Sequence, residues 1–149
     1  MVKQIILAFF GSIFPVILFN IDRRKIIWTG FSGAFGWAVY LLVYNYNGSP
    51  VMASFCGAFT VGMYSEILAR KLKTPTMQFS VPGIFPLVPG LTAYSTVNYI
   101  VEQKYNEAFS KGMQVLGVAG AIAFGIMLAT TTFNLIMKVT KVKPKQKNF

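Results

Sequence analysis

Residues 80–90 read Ser80-Val81-Pro82-Gly83-Ile84-Phe85-Pro86-Leu87-Val88-Pro89-Gly90, three prolines and two glycines inside what is otherwise an apolar segment of membrane-spanning length. A proline has no N–H to give to a helix and disfavours helix at the residue before it, so Pro82, Pro86 and Pro89 together are expected to interrupt the helix and free backbone groups. In hydrocarbon, irregular backbone persists only where protein buries it or where it lines a polar cavity. A broken apolar helix of this kind is a sequence pointer to a translocation path.

The rest of the chain places that break in a membrane protein. Of 149 residues, 54% are hydrophobic and only 12% charged, far from a soluble composition. Five apolar segments lie near the ~20 residues that cross a bilayer. They cover about 4–20, 26–46, 50–69, 77–101 and 112–137, followed by a basic tail at 138–149, all within one membrane domain of residues 1–149. The expected fold is all-α and integral to the membrane, with five transmembrane helices, the fourth broken. The first segment is expected to stay as a span, because no small-x-small cleavage site closes it before Asp22 and the run Arg23-Arg24-Lys25 opposes translocation of the downstream chain.

The net charge is +10, from 14 Lys and Arg against 4 Asp and Glu. The basic residues punctuate the apolar runs instead of forming a stripe, which argues against a nucleic-acid partner and for topology and anionic lipid at the loops and tail. Under the five-span reading one face receives Arg23, Arg24, Lys25, Arg70, Lys71, Lys73 and the five tail lysines, and the other only Lys3, Lys104 and Lys111. The positive-inside rule then puts the N-terminus outside and the C-terminus in the cytoplasm.

Little in the sequence suggests an enzyme. There is no His, one cysteine (Cys56), no phosphate loop, no nucleophile elbow and no set of metal ligands, so no catalytic residue, metal or cofactor is expected. Small residues recur at four-residue spacing in Gly30/Ala34/Ala38, Ser54/Ala58/Gly62 and Gly117/Ala121/Gly125/Ala129, faces that allow close helix approach. Packing within a small bundle is the first reading of these rows; three such faces look like more interface than one small bundle would use, which makes contact with another subunit the second. Glu66 is the acidic residue set within an apolar segment, and an intramembrane carboxylate is a functional candidate by default. Arg70 follows it by one helical turn, in the order that favours a pair, so the two are read as a structural pair or as a coupling or gating pair. Asp22, Glu102 and Glu107 are expected to be loop charges. After the break comes a polar-studded half-helix, Leu91 to Asn98. Its free N-terminal amides would attract a carboxylate, with Thr92 and Ser95 placed to touch the substrate and Pro82, Gly83, Pro86, Pro89 and Gly90 shaping the path. A purely structural kink is the alternative.

The run Ser65-Glu66-Ile67-Leu68-Ala69-Arg70, the basic loop ending Lys73-Thr74-Pro75, and Pro82-Gly83-Ile84-Phe85-Pro86-Leu87-Val88-Pro89-Gly90 resemble the carboxy-terminal membrane half of the threonine/serine exporter family. Members of that family occur as one fused ten-span protein or as a larger protein with a small five-span one, and this chain resembles the small one. The resemblance implies a bacterial inner-membrane exporter, driven by the proton motive force, for threonine and serine or a related small carboxylate such as succinate. It also implies a larger membrane subunit as partner. A non-transporting assembly subunit and a channel-like pore component are the rival readings.

Overall fold

The structure, a computed structural model, describes residues 1–18 and 25–142. Asp22, Arg23, Arg24 and the tail lysines Lys143, Lys145 and Lys147 therefore lie outside the described residues. Among the described residues the chain is helical throughout: α1 (Val2–Leu18), α2 (Ile26–Asn47), α3 (Pro50–Lys71), α4 (Met77–Ile84), a 3₁₀ turn (Phe85–Leu87), α5 (Gly90–Val101) and α6 (Tyr105–Val142).

Local sequence sets the boundaries. Gly48 ends α2 with φ +64°, a left-handed conformation that suits glycine, and its N–H bonds the Tyr44 carbonyl. Ser49 then caps α3, accepting from the Met52 amide at 3.5 Å, and Pro50 occupies the first turn, where its missing N–H is harmless. The result is a tight antiparallel hairpin.

Chain direction alternates through the bundle. The Met1 sulfur lies 4.0 Å from the Asn45 amide nitrogen, which places the start of α1 beside the end of α2. At the opposite end Lys25 Nζ donates to Gln78 Oε1 (3.2 Å) and Arg70 donates to Asn134 Oδ1 (3.1 Å). The basic positions Lys25 and Arg70 thus share one end of the bundle with Asn134, near Lys138. Helix α3 is central, packing against α2, α4 and most extensively α6.

All three small-residue faces are used inside the chain. A Cβ on Gly125 would sit 2.7 Å from the Phe55 carbonyl oxygen and 3.1 Å from Ala58 Cβ, and one on Gly62 would sit 2.6 Å from Ala129 Cβ, so the α3 and α6 rows face each other. Gly30 of α2 meets the ring of Phe9 on α1. Packing within the chain, the first of the two readings, is therefore what these rows serve, and they carry no argument for a second subunit. Close backbone approach is what these glycines provide, as expected where solvent exclusion cannot drive helix association. Between the helices sits a core of Ala58, Val61, Leu87, Val118 and Ile122, with Trp37, Tyr40, Ile84 and Ile126 packed on it.

Helices α2, α3 and α6 are each long and apolar enough to cross a membrane, and Met77–Leu87 with Gly90–Val101 makes a fourth candidate, bent by 50° at the break. Helix α1, at 17 residues, spans roughly 26 Å. Helix α6, at 38 residues, runs on for about 57 Å. It starts at Tyr105, earlier than the apolar run beginning at Gly112 suggested, and takes Glu107 into its first turn, where a carboxylate suits the helix dipole. Glu107 is thus helical and not a loop charge. Glu102 caps α5, accepting from Lys104 Nζ and Asn98 Nδ2, both at 2.8 Å. Gly117 lies level with Val51 near the start of α3, while Gly112 faces Thr96. The first turns of α6, with α5 alongside, therefore extend past the beginning of α3.

Candidate functional site

The break is shorter than the proline spacing implied. Helix α4 continues through Pro82 and Gly83, both buried, to Ile84, because Pro82 removes only the hydrogen bond to the Gln78 carbonyl and Gly83 seats against α2 and α3. A Cβ on Gly83 would lie 2.5 Å from Ser32 Oγ and 2.9 Å from Val61 Cγ1. The helix yields only at Pro86 and Pro89, three residues apart. Phe85–Leu87 tighten to a 3₁₀ turn, Val88 is extended (φ −63°, ψ 129°), and Pro89 (φ −78°, ψ 54°) centres an inverse γ-turn in which the Gly90 amide bonds the Val88 carbonyl at 2.8 Å. The Ala93 amide reaches back to the Pro89 carbonyl (2.9 Å). Among the described residues the amides of Leu91 and Thr92 make no such bond, as the first turn of an uncapped helix dictates.

These two residues face a cavity of about 320 Å³. One wall is the break itself, Pro86 to Thr92. A second is α2, where Trp37 and Tyr40 stack with centroids 4.8 Å apart and Tyr40 stacks on Tyr44 at 5.8 Å. Pro50 and Ser54 of α3, with Gln114 and Val118 of α6, close it. The lining carries amides, hydroxyls and aromatic rings, and no ionised side chain. Leu87 forms its floor, wedged between the glycine backbones of α2 and α3, for a Cβ on Gly57 would lie 3.1 Å from Leu87 Cδ2.

Of the residues expected at the path, the structure brings Pro86, Pro89, Gly90 and Thr92 together on this cavity. Pro82 and Gly83 lie below it in the packed core. Ser95 turns its hydroxyl to the Leu91 carbonyl (2.9 Å) and is not on the lining. Trp37, Tyr40, Tyr44, Ser54 and Gln114 were not singled out as site residues by sequence reading. The 3–4 spacing of the three aromatics was visible, but nothing in the sequence aligns α2 with the break.

Glu66 and Arg70 sit toward the other end. Glu66 is buried (7% exposed) with no hydrogen bond or ion pair among the described residues. Arg70 does not turn back to it: its guanidinium donates to Asn134 and lies 4.9 Å from the Phe133 ring centroid. The expected pair is therefore one turn apart on α3 without being joined, and Arg70 instead ties α3 to α6.

Comparison with known proteins adds a direct likeness. Residues 4–132 match the family described as Threonine/Serine exporter, ThrE. The chain is 30% identical over 107 residues to a threonine/serine exporter of Corynebacterium glutamicum, a stretch that covers 72% of this chain and 22% of that protein. It is 23% identical over 125 residues to an uncharacterized protein of Haemophilus influenzae, covering 78% of this chain and 42% of that one. The chain thus spans less than half the length of these curated relatives. No solved structure matches.

Proposed function

The chain belongs to the threonine/serine exporter family, and on that premise we propose that it is the small subunit of a two-component secondary exporter, acting with a larger membrane subunit of the same family in the bacterial inner membrane. The transporter role and the multi-pass helical architecture follow from the family and from the apolar helices. The finer reading is that the chain crosses five times with its N-terminus outside, and that α4 and α5 form one broken crossing. The cavity at the break holds a small carboxylate-bearing substrate, threonine, serine or a relative such as succinate. Anionic lipid contacts the basic loops and tail.

The observation that carries this reading is the pair of unbonded amides at Leu91 and Thr92, opening into a cavity with no acidic side chain on its lining. Free N–H groups at a helix start favour an anion, and a carboxylate there meets no like charge. Pro86, Pro89 and Gly90 hold the turn that exposes them, and the Thr92 hydroxyl adds a side-chain contact. Pro82 and Gly83 support the path by fixing α4, and Ser95 takes part only if the cycle frees its hydroxyl from Leu91. Glu66, buried and without an ion-pair partner among the described residues, is the group for proton coupling, and Arg70 gates through its contacts on α6. Support for a partner comes from the fraction of the relatives' length that this chain spans.

The test is efflux of labelled threonine, serine and succinate from cells lacking their own exporters, with this chain alone or with the larger subunit. Gradient-dependent efflux with both proteins and not with either alone is expected. A stable complex in the membrane that moves none of the three would favour a non-transporting assembly role, and flux that neither saturates nor tracks the proton gradient would favour a pore.

A further inference from the structure

Many hydroxyls in this chain share one resting place. Those of Ser12, Thr29, Thr60, Ser95, Thr96 and Thr131 each donate to the carbonyl four residues back, at 2.8–3.0 Å. Four others, those of Ser32, Ser54, Ser65 and Thr74, are buried with no hydrogen-bond partner among the described residues, and of these Ser54, 1% exposed, is the one on the cavity lining. Trp37 is also on the lining, and its indole N–H, a donor only, is likewise buried and unbonded among the described residues. Trp37 also borders the smaller space between α1 and Pro86. A buried donor without a partner is unfavourable by about 1–3 kcal/mol, and two of them on residues that line one cavity point to a place for something polar.

We infer that Trp37 Nε1 and Ser54 Oγ form a second subsite of this cavity that reads an acceptor oxygen on the substrate distant from its first carboxylate. The inference rests on the exporter reading and deepens it. One end of the ligand is fixed by the Leu91 and Thr92 amides, and the other is selected by a donor from α2 and a hydroxyl from α3. A threonine or serine hydroxyl satisfies the subsite, as does the second carboxylate of a dicarboxylate. An analogue of the same carbon skeleton without that oxygen leaves both groups unpaired. Sites that hydrogen-bond a substrate hydroxyl reject its deoxy analogue far more strongly than an apolar pocket distinguishes a methylene.

The test uses the complex of this chain with the larger subunit in proteoliposomes. Gradient-driven flux of labelled threonine is competed with unlabelled threonine or 2-aminobutyrate, which lacks the hydroxyl; where succinate is the substrate carried, butyrate is the analogue. The wild-type pair is expected to prefer the oxygen-bearing compound, and Trp37→Phe and Ser54→Ala each to reduce that preference by roughly tenfold. Phe keeps the stack on Tyr40, and both variants are checked for complex formation at wild-type levels. A preference unchanged in both variants, while Gly90→Ala impairs flux, overturns the subsite and leaves the exporter reading standing. No gradient-driven flux from an intact wild-type complex overturns the exporter reading, and the subsite with it.

Discussion

Replacing Gly83 and Gly90 separately by alanine distinguishes packing from path, because the two glycines flank the break in opposite surroundings. Gly83 lies within α4, and its added methyl would approach Ser32 Oγ to 2.5 Å, Val61 Cγ1 to 2.9 Å and Ser32 Cβ to 3.1 Å. Neither neighbour is the far end of a flexible chain, and both are fully buried. Overpacking of this kind is unfavourable by about 1–3 kcal/mol, offset by up to ~1 kcal/mol for replacing a helical glycine with alanine. The net expectation for Gly83→Ala is a loss of roughly 1–2 kcal/mol, with part recovered in Gly83→Ala/Ser32→Ala, since removing Oγ takes away the closest contact. Gly90 has nothing within 4 Å of its would-be Cβ and no left-handed φ, so Gly90→Ala should leave stability within ~0.5 kcal/mol. Yet Gly90 lines the cavity beside the Leu91 and Thr92 amides, and a methyl there takes space from the ligand; a change of about one methylene in a pocket is worth roughly tenfold in specificity for the substrate. Reversible unfolding in mixed micelles measures the first quantity and proteoliposome flux the second. Wild-type flux in a stable Gly90→Ala protein would refute the assignment of the break to the path.

Glu66→Gln should reduce gradient-driven export while leaving the complex intact; normal export by that variant would remove Glu66 from the coupling step. On α6, Gly125→Ala presses a methyl onto the Phe55 carbonyl oxygen at 2.7 Å and should lose about 1–2 kcal/mol, whereas Gly120→Ala, with open space around it, should be neutral or gain up to ~1 kcal/mol; equal thermal stabilities of the two variants in detergent would contradict the α3–α6 register. At the α5–α6 turn, hydrogen bonds and charge from Lys104, with Asn98, hold the Glu102 carboxyl below its usual range. A depressed folded-state value means the stabilisation is present above the unfolded-state pKa of about 4.3 and disappears as pH falls through the lower folded-state value, so local hydrogen exchange near Gln103 should accelerate there and not in Glu102→Gln.

Much of the fold was legible because hydrophobic segments and turn residues carry it locally. The apolar runs 26–46 and 50–69 leave only Asn47-Gly48-Ser49 for the turn between α2 and α3, and Pro86 and Pro89 announce the break. What was not legible depends on register between distant helices. Pro82 looked like a breaker, yet its helix is held by what Gly83 touches on α2 and α3. Ser54 read as one more small residue in a packing row, and its missing hydrogen bond appears only once Trp37 and the break are placed around it. Arg70 reads as Glu66's partner by spacing alone, but Asn134 and Phe133, more than sixty residues on, offer it a hydrogen bond and a ring face.

Helix α6 touches both places that matter, Gln114 and Val118 at the cavity and Phe133 and Asn134 under Arg70. Gln114 and Asn134 are twenty residues apart on one rod without an internal proline, about 30 Å of rigid arm. Gly125 lies midway, backbone to backbone with Phe55 and Phe59. Such a rod is a lever with its fulcrum at the glycine: a tilt of about 5° there would carry each end roughly 1.3 Å in opposite directions over its ~15 Å half-length. Widening the cavity by leaning α6 away from it would press the far end onto Arg70, so that the cavity end and the Arg70 end of the bundle cannot loosen together by this motion.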